Sequence, residues 1–256
     1  MKKRSLMQRL LGAPYILWAA IFIIVPLIIV VYYSFTDSAG NFTLDNIKGL
    51  AGYKDIFLIS IEYSLIATVI TLLISYPFAY IMSRKKESTQ RIMMMLVMLP
   101  MWMNLLIRTY SWMNILEKNG IINNFLALIG VEPLKMIGTP GAVIFGMIYN
   151  YIPYMILPIY SVMAKIEPSL LEAAEDLGSN GFSKLRRIIL PLSMPGVVSG
   201  FTMVFVPSVS TFYISQKLGG KIMLVGDAIE KQIQSLYNYN LGAALSLVLM
   251  VLILLS

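Results

Sequence analysis

Six apolar runs, each close to the length that crosses a bilayer, limit what this chain can fold into. They cover about 14–35, 61–83, 92–116, 141–163, 194–214 and 241–256. A bilayer's hydrocarbon core is about 30 Å thick, so a helix rising about 1.5 Å per residue crosses it in roughly 20 residues. Each run therefore reads as a transmembrane helix. The fold expected is all-α, a polytopic membrane protein with six transmembrane helices in a single domain over 1–256. The last run holds 16 residues, short for a crossing, and is expected to continue past Ser256.

Composition agrees. Hydrophobic residues make up 58% of the 256 and charged ones 13%, which leaves little for a water-facing domain. Mean hydropathy is +0.76. There is no cysteine and no histidine, so disulfide frameworks, thiolate metal sites and most Ser-His or His-metal catalysis are excluded. No catalytic residue and no metal ligand is expected.

Lys2, Lys3, Arg4 and Arg9 precede the first run. A signal peptide is the alternative, but the run from Pro14 to about Phe35 is longer than a signal core and lacks a small-residue cleavage site. A short surface helix is expected within Asn46–Ile59. Another is expected in 117–139, an interfacial one with Ile121, Ile122, Phe125, Leu126, Leu128 and Ile129 as its apolar stripe.

With the N-terminus inside, the inner segments hold 12 of the 20 lysines and arginines and the outer ones 7. Of seven arginines, six fall inside, none outside, and Arg108 within a span. Cytoplasmic loops are enriched in Lys and Arg, so the net charge of +7 speaks for membrane orientation, not nucleic acid. The outer segments come to −1, counting Glu62, which suits a cationic solute only weakly because salt screens charge within about 8 Å.

The loop 164–193 is a polar island that this topology places in the cytoplasm. Leu170, Leu171, Ala174 and Leu177 share one face at helical spacing, and Glu172, Glu175 and Asp176 another. Gly178 is placed to stop that helix, and Ser179 or Asn180 to cap a second one with Leu185, Ile188, Ile189 and Leu192 on its apolar face and Pro191 at its end. Taken alone, this is an amphipathic hairpin on the membrane surface. Its spacing says more: Glu172-Ala173-Ala174, three residues, Gly178, nine residues, Ile188, one residue, Leu190-Pro191.

That pattern resembles the EAA loop of ABC importer permeases, matching seven specified positions without a gap. The resemblance implies a type I importer permease fold in a bacterial inner membrane. It also implies that Glu172, Ala173, Ala174, Glu175, Asp176, Gly178, Ile188, Leu190 and Pro191 form the contact to a separate ATPase. The chain itself would bind no cofactor; ATP and Mg²⁺ would sit on that ATPase. The implied partners are a second permease subunit, two ATPase subunits and an external solute-binding protein. Phe42–Asn46, Tyr76–Ala79, Trp102–Asn104 with Leu106–Arg108, Ala142–Tyr149 and Gly219–Lys221 resemble the polyamine branch of these permeases. Phosphonate, ferric iron and mannopine-type solutes are the alternatives on similar permeases.

Candidate solute-path residues come from polar groups in the runs. Asn104 and Arg108, at i and i+4, fall on one face of a third span beside Trp102 and Tyr110. A charge at mid-membrane costs about 2.5–3.5 kcal/mol on insertion scales and so faces a bundle interior or cavity, unless it snorkels to the interface. Tyr149, Asn150 and Tyr154 crowd the middle of the fourth run around Pro153 and Pro158. Aromatic faces attract desolvated ammonium groups; packing or an interfacial belt is the other reading. Asp227 and Glu230 read as a solvated outer face.

Gly219-Gly220-Lys221 is no phosphate loop, since Ser215 and Ile222 stand where Gly and Ser or Thr are required. An ion-driven secondary transporter would want carboxylates inside the spans, and only Glu62, at an edge, qualifies. A membrane-embedded enzyme lacks the usual catalytic groups.

Overall fold

The computed structural model describes residues 14–255. Lys2, Lys3, Arg4 and Arg9, which carry part of the orientation argument, lie outside them, as does Ser256. Among the described residues there is no strand beyond an isolated antiparallel bridge, Thr36 with Phe42. The helices are α1 (Pro14–Ser34), α2 (Asp45–Ser83), α3 (Glu87–Trp102), α4 (Leu105–Leu116), α5 (Ile121–Leu128), α6 (Pro140–Met163), α7 (Pro168–Asp176), α8 (Gly181–Val209), α9 (Tyr213–Leu218), α10 (Val225–Glu230, continued by a π turn Lys231–Ser235) and α11 (Tyr239–Leu255). Of the described residues, those up to Asp55 and from Ala228 onward form one compact unit, and Ile56–Asp227 form another.

In the first unit, α1 packs along α11. Almost every large side chain of α1 is exposed, from Tyr15 to Tyr33, as expected of a helix facing lipid. The chain after α1 is tied by amides. Asn240 Nδ2 and Asn46 Nδ2 both donate to the Thr36 carbonyl, at 2.6 and 2.8 Å. Asp37 Oδ1 accepts the N–H groups of Asn41 and Ala39, at 2.8 and 2.9 Å, and these bonds, Asn41's foremost, hold its carboxyl below the ordinary carboxylate range.

In the second unit, α6 packs along α8 over most of its length. The contact is close because α8 turns a stripe of small residues inward: Ser193, Gly196, Gly200 and Ser208 are buried, with Val204. A Cβ on Gly196 would sit 2.8 Å from the Pro158 carbonyl oxygen, and one on Gly200 would sit 2.8 Å from Met155 Sδ. Small residues four apart let helix backbones approach where the hydrophobic effect gives no drive. In the same way α2 buries Ser60, Ser64, Ala67, Thr68, Thr71, Ser75 and Ala79, while Leu65, Val69 and Leu73 face outward. Its hydroxyls return to their own helix, as in Thr68 to Ser64 O and Thr71 to Ala67 O, each at 2.7 Å.

Among the described residues four helices are long and apolar enough to cross a membrane: α1, α2, α6 and α8. Several expectations are corrected. The third run is not one straight span. α3 and the stretch Leu105–Leu128, which holds α4 and α5, meet at an 89° bend, because Met103 and Asn104 leave helical geometry after Pro100. The second run begins earlier than residue 61: the short helix expected in 46–59 continues through a 3₁₀ turn, Leu50–Tyr53, straight into it. The fifth run ends at Val209, not 214, and Pro191 does not end a helix. A π turn, Leu185–Ile189, precedes it, with Leu190 N–H bonded to Leu185 O, and the altered bonding lets the helix accept a residue without an N–H.

The stretch after α8 is not simply polar surface. Ile214, Leu218, Leu224 and Val225 are fully buried, and the first three pack with Val143, Met147 and Ala67. Asp227 is buried, accepting from Leu224 N–H at 2.8 Å, which corrects its reading as a solvated residue; Glu230 is half-buried.

Candidate functional site

α7 begins with Pro168 at its first turn, where the absent N–H is no loss. It ends in a two-bond cap: Ser179 N–H reaches Ala174 O at 2.9 Å and Gly178 N–H reaches Glu175 O at 2.8 Å. The cap needs a left-handed residue, and Gly178 has φ +79°. Asn180 then caps α8, its Oδ1 accepting from Ser183 N–H at 2.8 Å. So helix, glycine turn and capped second helix all form where the spacing places them, although the second helix continues into the membrane run instead of ending.

The resulting hairpin is closed by an ion pair between Lys184 Nζ and Glu175 Oε1, joining the start of α8 to α7. Ala174 is buried. Glu172, Ala173, Asp176 and Gly178 are exposed, as are Leu177 at 87% and Phe182 at 71%. On α8, Ile188 is half-buried while Leu190 and Pro191 are exposed. The hairpin thus presents carboxylates and two large apolar side chains outward. Such a face has the makings of a docking surface, with an apolar centre and a charged rim.

Sequence reasoning missed what anchors this hairpin. Arg84, read only as an orientation marker, donates from Nη2 to Met163 O at 2.9 Å and from Nη1 to Ile166 O at 3.2 Å. The last carbonyls of a helix lack intrahelical partners and favour a cation, so Arg84 caps α6 where it feeds into the hairpin. Tyr160 Oη donates to Gln90 Oε1 at 2.7 Å, and Gln90 Nε2 donates to Lys85 O at 2.8 Å and Ser83 O at 3.2 Å. A cation just after a helix was the available signal for Arg84.

The path candidates do not form one cluster. Asn104 is exposed and lies outside the helix as the cap of α4, accepting from Leu106 N–H at 2.8 Å. The expected shared face of Asn104 and Arg108 is therefore corrected: Arg108 is turned inward and is 8% exposed. Its burial favours the bundle interior over snorkelling. Its Nε and Nη1 have no partner among the described residues. Trp102 is 72% exposed. Tyr149 packs edge-on against Trp112, with ring centroids 5.1 Å apart, and Tyr154 is tilted on Tyr151 at 6.4 Å. Asn150 is buried and donates to Gly146 O at 2.8 Å. Tyr110 packs edge-on against Tyr213 at 6.2 Å. Two cavities of about 520 and 430 Å³ lie along Leu116–Ile137 and Leu116–Phe145, and neither takes in any of these seven residues.

Long outward-facing apolar helices, an inward stripe of small residues and an exposed hairpin closing on Gly178 are the features of a multi-spanning membrane protein with a docking surface outside the bilayer. The chain belongs to the family described as binding-protein-dependent transport system inner membrane component, whose pattern it matches over residues 75–256. It is 39% identical over 246 residues to the spermidine/putrescine transport system permease protein PotB of Haemophilus influenzae, covering 92% of this chain and 86% of that protein. PotB of Escherichia coli is 36% identical over 243 residues, covering 91% and 88%. The inner membrane ABC transporter permease protein YdcU of Escherichia coli is 30% identical, covering 87% and 77%. The fold is shared with a chain of a bacterial alginate ABC transporter solved with its pentasaccharide-bound periplasmic protein. That match has a TM-score of 0.79 at 18% identity, covering 97% of this chain and 90% of the other. This is the type I permease fold of an ABC importer, and the chain is a transport subunit in the inner membrane.

Proposed function

We propose that this permease moves polyamines inward, with spermidine and putrescine as its solutes. The observation that carries this is the 39% identity to a spermidine/putrescine permease along 92% of the chain. We infer that it pairs with a second, PotC-like permease, binds two PotA-like ATPases on its cytoplasmic side and receives solute from a PotD-like external protein. The N-terminus lies in the cytoplasm, as the arginine distribution favours.

In this scheme ATP closes the ATPase dimer, whose groove holds α7. Glu172 and Asp176 meet basic groups there, while Leu177 and Phe182 fill its apolar part. The hairpin moves as one body because Glu175 and Lys184 close it and Arg84 fixes the end of α6. Its motion passes along α8, which is continuous from Gly181 to Val209, into the α6–α8 contact. Tyr110 of α4 and Tyr149, Tyr154 and Asn150 of α6 supply aromatic faces and an amide for ammonium groups along the way.

The test is uptake of labelled spermidine by cells with and without this chain, with cold putrescine and an unrelated phosphonate as competitors. Uptake that needs the chain and is competed only by polyamines is expected. Uptake that does not need the chain, or that the phosphonate competes, overturns the polyamine assignment. Glu172→Arg is expected to abolish uptake with membrane levels unchanged.

A further inference from the structure

The short helix α9 carries a feature that the coupling scheme does not use. Ile214 and Leu218, four residues apart, are fully buried on one side of it. They seat on α6 at Gly146, where a Cβ would come within 2.7 Å of both side chains. The far end is pinned by Gly138 N–H donating to Leu218 O at 2.9 Å. α9 is therefore firmly placed, and what projects from its other side is placed with it.

That other side carries Tyr213 and Lys217, also four residues apart and so neighbours on the helix. Lys217 Nζ lies 5.7 Å from the Tyr213 ring centroid and 5.1 Å from that of Tyr110, which reaches across from α4. The two rings stand at 78° to each other, so the ammonium meets two walls of a corner. Both distances fall within the range at which a ring face attracts a cation. Lys217 also donates a hydrogen bond to the Tyr110 hydroxyl, so the ammonium meets an oxygen acceptor as well as the two rings.

A corner of aromatic faces selects alkylammonium ions by their charge and shape. A primary amine on a four-carbon stem is such an ion, and it is the repeating unit of a polyamine. We propose that Tyr110 and Tyr213 form an ammonium cage, occupied by the tethered amine of Lys217 and surrendered to an amine of the solute when it arrives. Lys217 is then a resident stand-in for the solute. By like-charge repulsion it prevents two ammonium ions from sharing the cage. The identity of the displacing solute rests on the polyamine reading; the cage itself does not.

The absence of cysteine from the chain supplies a direct test. In the assembled transporter, with label read on this chain by mass, Lys217→Cys is treated with a trimethylammonium methanethiosulfonate and with its sulfonate analogue. Lys118→Cys, at an exposed position, corrects for intrinsic reactivity. The cage predicts at least a tenfold preference for the cationic reagent at position 217 over that at position 118. The preference falls to near unity when either Tyr110→Leu or Tyr213→Leu is added, and spermidine slows the cationic reaction severalfold. Equal rates for the two reagents, or a preference indifferent to both tyrosines, overturns the cage. Preference without spermidine protection, in cells that do import spermidine, overturns the displacement step. If the preference holds and spermidine uptake fails, the cage stands and the solute assignment falls.

Discussion

Gly178 shows how much one residue can decide. A Cβ there would meet nothing within 4 Å, so space does not exclude a larger residue; the φ of +79° does. A β-branched side chain in the left-handed region costs roughly 1–2 kcal/mol, too little to unfold a membrane bundle but enough to undo a two-bond cap. Gly178→Val is therefore expected to leave membrane levels at wild type and to abolish solute uptake, compared by immunoblot and transport in the same cells. Uptake at the wild-type rate would show that the turn is not needed. The Lys184–Glu175 pair is partly exposed, and such a pair contributes little to stability, about 1 kcal/mol or less. Its role here is to keep two helices together. Lys184→Glu is expected to cut uptake strongly, and the double exchange with Glu175→Lys is expected to restore a good part of it. A double variant no better than the single one would deny the pairing.

At the level of elements, the helices divide into those defined by length and those defined by contact. The α6–α8 contact depends on Gly196 approaching the Pro158 carbonyl, a backbone atom that cannot swing aside. Gly196→Leu should lower the melting temperature of the detergent-solubilised protein by many degrees, consistent with an overpacking cost of about 1–3 kcal/mol or more. Gly141→Ala, whose Cβ would find its nearest neighbour at an ordinary 3.8 Å, should be neutral or slightly stabilising. Equal effects would mean that the contact is looser than described. This scale also separates what was legible in the sequence from what was not. α1 and α6 were legible because bilayer thickness sets a length that hydropathy reports directly. The break at Met103–Asn104 was not. Asn104 is spaced to share a face with Arg108 in an unbroken helix, and only the cap geometry puts the two on different sides. Pro191 misled in the opposite direction: read as a stop, it is carried by a π turn, a change of hydrogen bonding that no residue pattern announces. Leu218 and Leu224 were hidden because a segment too short to span and flanked by Gly and Lys reads as surface, although Leu218 stands four residues after Ile214, the last residue of the fifth run.

For the molecule as a whole, the family assignment and the hairpin geometry rest on different observations and agree. The EAA spacing was legible because each position answers a local demand, such as a left-handed Gly at a helix end or a small Ala174 under a tight hairpin. The path candidates were less so, since polar residues in a span are recruited equally for caps, bonds to their own helix and cages; Asn104, Asn150 and Tyr110 take one role each. The account stands or falls on whether the 164–193 hairpin is the surface that meets the ATPase. The most direct measurement uses a single cysteine at Leu177, 87% exposed at the hairpin tip, in this cysteine-free chain, with Phe125 on α5 at 63% exposure as its counterpart. Each is joined in intact membranes by a short thiol-to-amine cross-linker, and the adducts are identified by mass. The account predicts an ATPase adduct from position 177 and none from position 125. An ATPase adduct from 125, or its absence from 177 in a transporter that still imports, would contradict it.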